Sequence, residues 1–339
     1  MFLQRQYRKV RKRFLPIIMS AAVIFSGCIG CTRSQEPISR TDFKLNTVVT
    51  VTLYNTTDTS LLDGCMELCD RYELLFSRTN PDSELYKLNH GLLPRSGDGQ
   101  IVSGETAELI SLGLSYGVLS NGAFDITIAP VSSLWNFSSD TPAVPDATLL
   151  SKAKTHVDYR KVSVEGNIVT FAEENMSIDL GAIAKGYIAD RMRDYLLENG
   201  IKNATINLGG NVLCIGNKNG STPYRVGIQK PFAPQGESLT ALSVTDRSVV
   251  SSGTYERYFK QDDTLYHHIL DPKTGYPCQN YLTGVTILSE KSVDGDALST
   301  TCFLLGSQKG LALIESLPDT EALFITEYGN LIYSSGFPK

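Results

Sequence analysis

The sequence predicts an α+β fold in one two-lobed domain, on three observations. Sixteen Tyr, thirteen Phe and a dense scatter of Val, Ile and Thr favour strands. Ala-rich and Leu-rich stretches with apolar residues three and four apart favour helices. With 339 residues, 42% hydrophobic and 20% charged, the chain can bury a sizeable core, and no internal repeat or low-complexity linker divides it.

The chain opens on a basic cluster (Arg5, Arg8, Lys9, Arg11, Lys12, Arg13) followed by an apolar run from Phe14 to Phe25. That order predicts a secretory signal peptide over 1–27, with an apolar core too short for a membrane span of roughly 20 residues. Phe25-Ser26-Gly27-Cys28 has the small residues before Cys of a bacterial lipobox, so Cys28 is the expected lipid anchor and the new N-terminus. Cys31 is the lesser candidate, and a plain signal anchor with both cysteines merely buried is the alternative. Residues 28–40 then form a polar tether to a domain over 41–339. Losing the leader takes the formal net charge from −5 to −11, a surface that repels a phosphate backbone and speaks against nucleic-acid binding.

Within the domain, Val48–Leu53 alternates as a strand, Ser60–Phe76 has helical periodicity, and Asn80-Pro81-Asp82-Ser83 marks a turn before a short helix. A third helix is expected over Gly104–Leu119. The stretch from Pro130 through the single tryptophan, Trp135, to Asp146 reads as a surface excursion. Strands are expected at Lys161–Val164, Ile168–Phe171 and Met176–Leu180, then a helix over Ala182–Glu198 closed by Asn199-Gly200. Further strands are expected at Ala204–Asn207, Val212–Ile215, Tyr224–Ile228, Ala241–Val244, Ser248–Ser251 and Thr283–Leu288. Asp294-Gly295 reads as a turn before a helix from Asp296 to Leu305 stopped by Gly306, and a last helix and hairpin complete the chain. The five cysteines past the leader (Cys65, Cys69, Cys214, Cys278, Cys302) show no metal-like spacing, and Cys65 and Cys69 share an apolar helix face with Leu62, Met66 and Tyr72.

Four constellations carry chemistry. In Ile178-Asp179-Leu180-Gly181-Ala182-Ile183-Ala184-Lys185-Gly186 a strand meets a helix through a glycine, a seat for an anion with Lys185 one turn inside, or else an ordinary strand–helix corner. Asp296-Ala297-Leu298-Ser299-Thr300 sets a carboxylate and two hydroxyls on one helical face, a sparse oxygen set suited to magnesium, or else an Asp N-cap with local back-bonding. His267-His268 runs into the turn Leu270-Asp271-Pro272-Lys273-Thr274-Gly275, where a histidine with a pKa near working pH can act as a general base or can simply cap a turn. The turns at Gly209-Gly210 and at Ser252-Gly253 permit close backbone approach to a ligand.

In this order the stretches NGAFDIT with Leu134-Trp135, DLGAIAKGYIAD, INLGGNV, SSGTYERYF, HHILDPKTGYP and DGDALSTTCFLLG resemble the FAD:protein FMN transferases, the ApbE family of bacterial flavin transferases. The resemblance covers roughly Thr41 to the end. It implies a two-lobed α+β, T-fold-like domain with FAD in the cleft between the lobes. It also implies flavin-nucleotide contacts at Ala123, Phe124, Asp125, Asp179, Lys185 and Leu270. The family's early Met-Gly-Thr contact corresponds to Leu45-Asn46-Thr47, and an aromatic often found before the next turn is replaced by Thr79. Its magnesium site corresponds to the Ala182 carbonyl with Asp296 and Thr300, with Ser299 where many members carry a carboxylate.

The implied reaction is attack by a Thr or Ser hydroxyl of a target protein on the FMN-side phosphorus of FAD, with AMP leaving. His268 is the candidate general base, with Asp271 forming or orienting its turn, and Asp296 holds magnesium. The implied acceptors are flavin-carrying subunits of membrane redox complexes, in the compartment that a lipid anchor at Cys28 faces. Two other functions use the same site: an FAD pyrophosphatase releasing FMN and AMP, and a surface lipoprotein that binds FAD without chemistry.

Overall fold

The computed structural model describes residues 36–137 and 139–338. The leader, Cys28, Cys31 and residues 28–35 of the expected tether lie outside them. The strands β1 (Ile38–Lys44) and β2 (Thr47–Leu53) pair as an antiparallel hairpin, so among the described residues regular structure begins at Ile38, inside the stretch read as tether. The sequence concealed β1 because its residues are mostly exposed and carry no apolar alternation.

Helix α1 (Ser60–Phe76) keeps its expected bounds and buries Leu62, Cys65, Met66, Cys69 and Tyr72, so the two cysteines are core. The turn after it ends at Ser83, whose hydroxyl caps α2 (Glu84–Asn89) by accepting the Tyr86 N–H. Strands β3 (Arg95–Ser96) and β4 (Gly99–Ile101) precede α3 (Gly104–Leu119), which Ser103 caps in the same way. Two short helices follow, α4 (Ala129–Ser132) and α5 (Ala147–Lys154), then β5 (Val162–Glu165) and β6 (Ile168–Phe171). The expected excursion around Trp135 is instead partly core. Trp135 is 4% exposed, stacks on Phe137, and donates its indole N–H to the Gly275 carbonyl.

Helix α6 (Ala184–Glu198) leads to β7 (Ala204–Leu208), β8 (Asn211–Ile215), β9 (Tyr224–Gln229), β10 (Ser238–Val244) and β11 (Ser248–Gly253). Next come β12 (Tyr258–Gln261), β13 (Thr264–His267), β14 (Leu282–Ser289), α7 (Ser292–Glu315), β15 (Glu321–Thr326) and β16 (Leu331–Tyr333). Eight strands form one antiparallel sheet in the order β1-β2-β7-β8-β11-β14-β15-β16. Alternation assigns its faces. In β15, Ala322 and Phe324 join the main core on the side of α1, α6 and α7, whereas Leu323 and Ile325 pack with Tyr224, Val226 and Leu242 of the β9–β10 hairpin on the other side. A smaller sheet, β3-β4-β6-β5, stands beside α3.

Two expectations fail for definable reasons. Met176–Leu180 pairs in no ladder, because other groups take its backbone: the Asn89 side chain bonds both the N–H and the C=O of Ile178, and Asp179 N–H donates to the Ile126 carbonyl. The turn expected at Asp294-Gly295 lies instead inside α7, which starts at Ser292 and continues past a kink at Gly306 (φ 76°) to Glu315, taking in the last helix.

The crossing of α6 and α7 sets the geometry that matters most. Neither Ile183 nor Lys291, at the helix starts, supplies a side-chain cap. Each helix is capped by the other. Asp190 of α6 accepts the N–H groups of Ser292 and Val293 at 2.9 Å each, and Asp296 of α7 accepts the Gly186 N–H at 2.9 Å. The close approach needs Gly186, since a Cβ there would lie 2.3 Å from the Ser292 carbonyl oxygen and 2.6 Å from Val293 Cα.

Gly186→Ala should therefore force the helices apart and cost about 2–4 kcal/mol in chemical denaturation. Burial pushes the Asp190 carboxyl up to about 6 from 3.8, against the pull of its two amide donors. The folded state then holds that proton more tightly than the unfolded chain, so this residue's contribution to stability falls as pH rises from about 4 to about 6. In Asp190→Asn that dependence should vanish. The variant's unfolding free energy should gain on the wild type by up to ~3 kcal/mol across this interval.

Candidate active site

The α6–α7 crossing opens onto a cleft of about 380 Å³, within the usual range for small-molecule sites. Separate parts of the chain line it. They include the β1–β2 turn, the loop after α1, the stretch from Phe124 to Ile128, the corner from Asp179 to Lys185, and a far wall of Ser252, Glu256, Arg257, His268, Leu270, Asp296 and Thr300. The N-terminal end of α6 is at this corner, its positive dipole end beside the half-buried Lys185.

Of the residues singled out in the sequence, Leu45, Phe124, Asp125, Asp179, Ala182, Lys185, Ser252, His268, Leu270, Asp296 and Thr300 come together in this cleft. Leu45 and Asn46 turn the hairpin with φ of 53° and 55°, so an ordinary side chain is held in the left-handed region at the cleft wall. Asp125 lines the cleft with most of its acceptor positions taken: Oδ1 accepts from the Thr127 N–H and hydroxyl, and Oδ2 from the Tyr159 N–H. Burial raises its pKa against those bonds. Asp179 accepts the Gly181 N–H at Oδ1 and the Ser132 hydroxyl at Oδ2.

Ala123, Gly209, Gly210, Gly253 and Ser299 are not in the lining. Gly209 and Gly210 form the β7–β8 turn with φ of 64° and 97°, and a Cβ on Gly209 would meet the Thr47 hydroxyl at 2.0 Å. These glycines let two hairpin turns pack together. Gly253 makes room for the Tyr255 ring. Ser299, fully buried, bonds to the Ser252 hydroxyl at 2.7 Å and donates to the Asp296 carbonyl at 2.9 Å, while Thr300, which lines the cleft, meets the same Ser252 hydroxyl at 3.3 Å. The reading of Asp296 as cap of its own helix also falls, because it lies inside α7 and caps α6.

Electrostatics correct the reading of His268. Burial, and then the charge of Arg257, push its pKa down to about 3, with His267 and Lys185 acting in the same direction. It is a neutral imidazole at working pH, and not a group poised near 7. Its Nδ1 is buried and has no partner among the described residues, the state of a group awaiting a donor or a ligand. Its neighbour His267 is lowered to about 4 by burial and bonds the Cys278 carbonyl. Asp296, 4% exposed, is raised by burial while Lys185 and the Gly186 amide oppose the shift.

Among the described residues no three His, Cys, Asp or Glu side chains cluster to hold a metal ion. The cleft instead offers one buried carboxylate at Asp296, the Thr300 hydroxyl and the backbone at Ala182. That donor set fits a hard cation that keeps most of its positions for water or phosphate, and does not fit zinc. The cleft residues given no role of their own in the sequence include Arg78, and Glu256 and Arg257 within the SSGTYERYF stretch. Arg78 precedes a turn and so follows no periodicity. Glu256 and Arg257 fall between β11 and β12, a gap that composition marks only as loop.

The sequence profile of the ApbE family matches residues 45–324. The FAD:protein FMN transferase of Klebsiella pneumoniae strain 342 is 38% identical over 282 residues, covering 82% of this chain and 86% of that protein. That of Treponema pallidum strain Nichols is 34% identical over 318 residues, covering 88% and 86%. The crystal structure of the ApbE protein of Thermotoga maritima superposes with a TM-score of 0.80 at 31% identity, covering 88% of this chain and 97% of that one. The flavin transferase ApbE of Vibrio cholerae gives a TM-score of 0.79 at 27% identity, covering 89% and 98%.

With pKa values of about 3 and about 4, the imidazoles of His268 and His267 should not titrate near neutrality. In proton NMR of the ligand-free protein, ring signals assigned through His268→Gln and His267→Gln should stay flat between about pH 5 and 8, where a free histidine turns over near 6.5.

Proposed function

The chain belongs to the ApbE family, and on that premise we propose that it is an FAD:protein FMN transferase. It moves FMN from FAD to a Thr or Ser hydroxyl of a target flavoprotein. What carries the reading is the meeting, in one cleft, of the α6 N-terminus and Lys185 with the buried carboxylate of Asp296, the Thr300 hydroxyl and the unpartnered Nδ1 of His268.

FAD joins FMN to AMP through a diphosphate, and charge must be offset there for an oxygen to attack phosphorus. The amide groups at the start of α6 and the Lys185 ammonium supply positive potential at a fixed place. Ala182, Asp296 and Thr300 would hold magnesium, which when bound neutralises the diphosphate charge. The acceptor oxygen forms its bond to the FMN-side phosphorus, the bond from that phosphorus to the bridging oxygen breaks, and AMP leaves as a phosphate monoester. The proton of the acceptor hydroxyl goes to His268, neutral and therefore able to take it. Nearby negative charge from the bound diphosphate raises the imidazole's proton affinity from its ligand-free level. Leu45, Phe124, Asp179 and Leu270 line the space for the rings. Lipid attachment at Cys28 would hold the enzyme outside the cytoplasm on the membrane, facing acceptor subunits of membrane redox complexes.

Mass spectrometry of an acceptor domain incubated with FAD, magnesium and the protein tests this reading. The acceptor should gain the mass of FMN less water. Free FMN beside an acceptor of unchanged mass would establish a pyrophosphatase instead, and intact FAD would establish a binding protein. Asp296→Asn keeps an oxygen for the Gly186 N–H but loses the charge, so it should still bind FAD while transfer falls roughly 10²-fold or more.

A further inference from the structure

We propose that Arg78, paired with Asp179, reads the edge of a ring of the bound dinucleotide where an N–H donor lies beside an acceptor. Arg78 Nε is 2.9 Å from Asp179 Oδ2, and Nη1 donates to the Ser133 hydroxyl at 3.0 Å. Among the described residues its Nη2 has no partner. The guanidinium is thus fixed at two nitrogens and lines the cleft with the third uncommitted.

Asp179 complements it. A carboxylate has about four acceptor positions; the Gly181 N–H and the Ser132 hydroxyl fill two, and Arg78 pairs its charge with Oδ2. The pair therefore offers one acceptor next to one donor, held by the α1–α2 loop, α4 and the α6 corner together. Both side chains remain partly open to the cleft, at 28% and 21% exposed, and a partly open ion pair contributes little to stability. A phosphate is a poor match, since it would face the Asp179 charge, and Lys185 already serves that need at the helix start. The apolar neighbours Leu45, Phe124, Ile126 and Ile128 instead suit a flat ring. Two rings of FAD carry the required edge: the imide of the flavin, and the amino group with the adjacent ring nitrogen of adenine.

This assignment rests on the flavin-transferase reading of the site. Its test is FAD affinity of the full chain in detergent, followed by flavin fluorescence, for wild type, Arg78→Gln and Arg78→Lys. Riboflavin and AMP serve as separate competitor arms, and thermal midpoints of the ligand-free proteins as the control for folding. Arg78→Gln should bind FAD roughly tenfold more weakly, with Arg78→Lys shifted the same way because it keeps the charge and loses the planar fork. The loss should recur in one arm only, riboflavin if the flavin edge is read and AMP if the adenine edge is, with midpoints unchanged. Unchanged affinity in Arg78→Gln would overturn the assignment alone, as would equal losses in both arms with a lowered midpoint. A wild type that does not bind FAD would overturn the transferase reading and this assignment with it.

Discussion

The mutual capping of α6 and α7 is the constraint on which the cleft depends. Two helix starts, each without a cap of its own, satisfy their amide groups with the other's carboxylate, and Gly186 removes the one side chain that would hold them apart. The exchange fixes orientation as well as distance. Ala182 and Lys185 stand at the start of α6, while Asp296 and Thr300 lie one turn apart on one face of α7, so the same bonds that join the helices bring these groups to one wall. An arrangement held by backbone amides at 2.9 Å needs little reorganisation when a ligand arrives.

That wall holds groups whose charged forms burial disfavours. Burial raises the carboxyl of Asp296 and depresses the imidazole of His268, so each resists its charged form. Lys185 and Arg257 stand among them as fixed positive charges. In the proposed reaction a diphosphate with its cation would supply partners of both signs at once. The ring-lining side is different in character, with Leu45, Phe124, Ile126 and Ile128 around the single ion pair of Arg78 and Asp179.

Long periodic elements were legible in the sequence because one face of each is buried. Helices α1 and α3 and strand β6 have the bounds their patterns require. Elements stabilised by something other than an apolar face were not. Strand β1 is mostly exposed, and Met176–Leu180 satisfies its backbone through Asn89 and not a ladder. The same division holds in the site. Lys185, Asp296 and Thr300 announce themselves as polar residues at a helix start or on a helix face. Which hydroxyl faces the cleft was not legible, since Ser299 and Thr300 differ by one position and both hydroxyls lie within bonding distance of Ser252 of β11. Nor could His268's neighbours be read from a sequence in which Lys185 is more than eighty residues away.

The central claim is that the α6–α7 crossing seats the diphosphate. A crystal structure of the protein with FAD and magnesium tests it most directly. The account predicts the diphosphate at the N-terminus of α6, within reach of Lys185, with the metal ion between it and Asp296 and Thr300. A diphosphate placed away from that helix start, or a metal ion bound without Asp296, would contradict it.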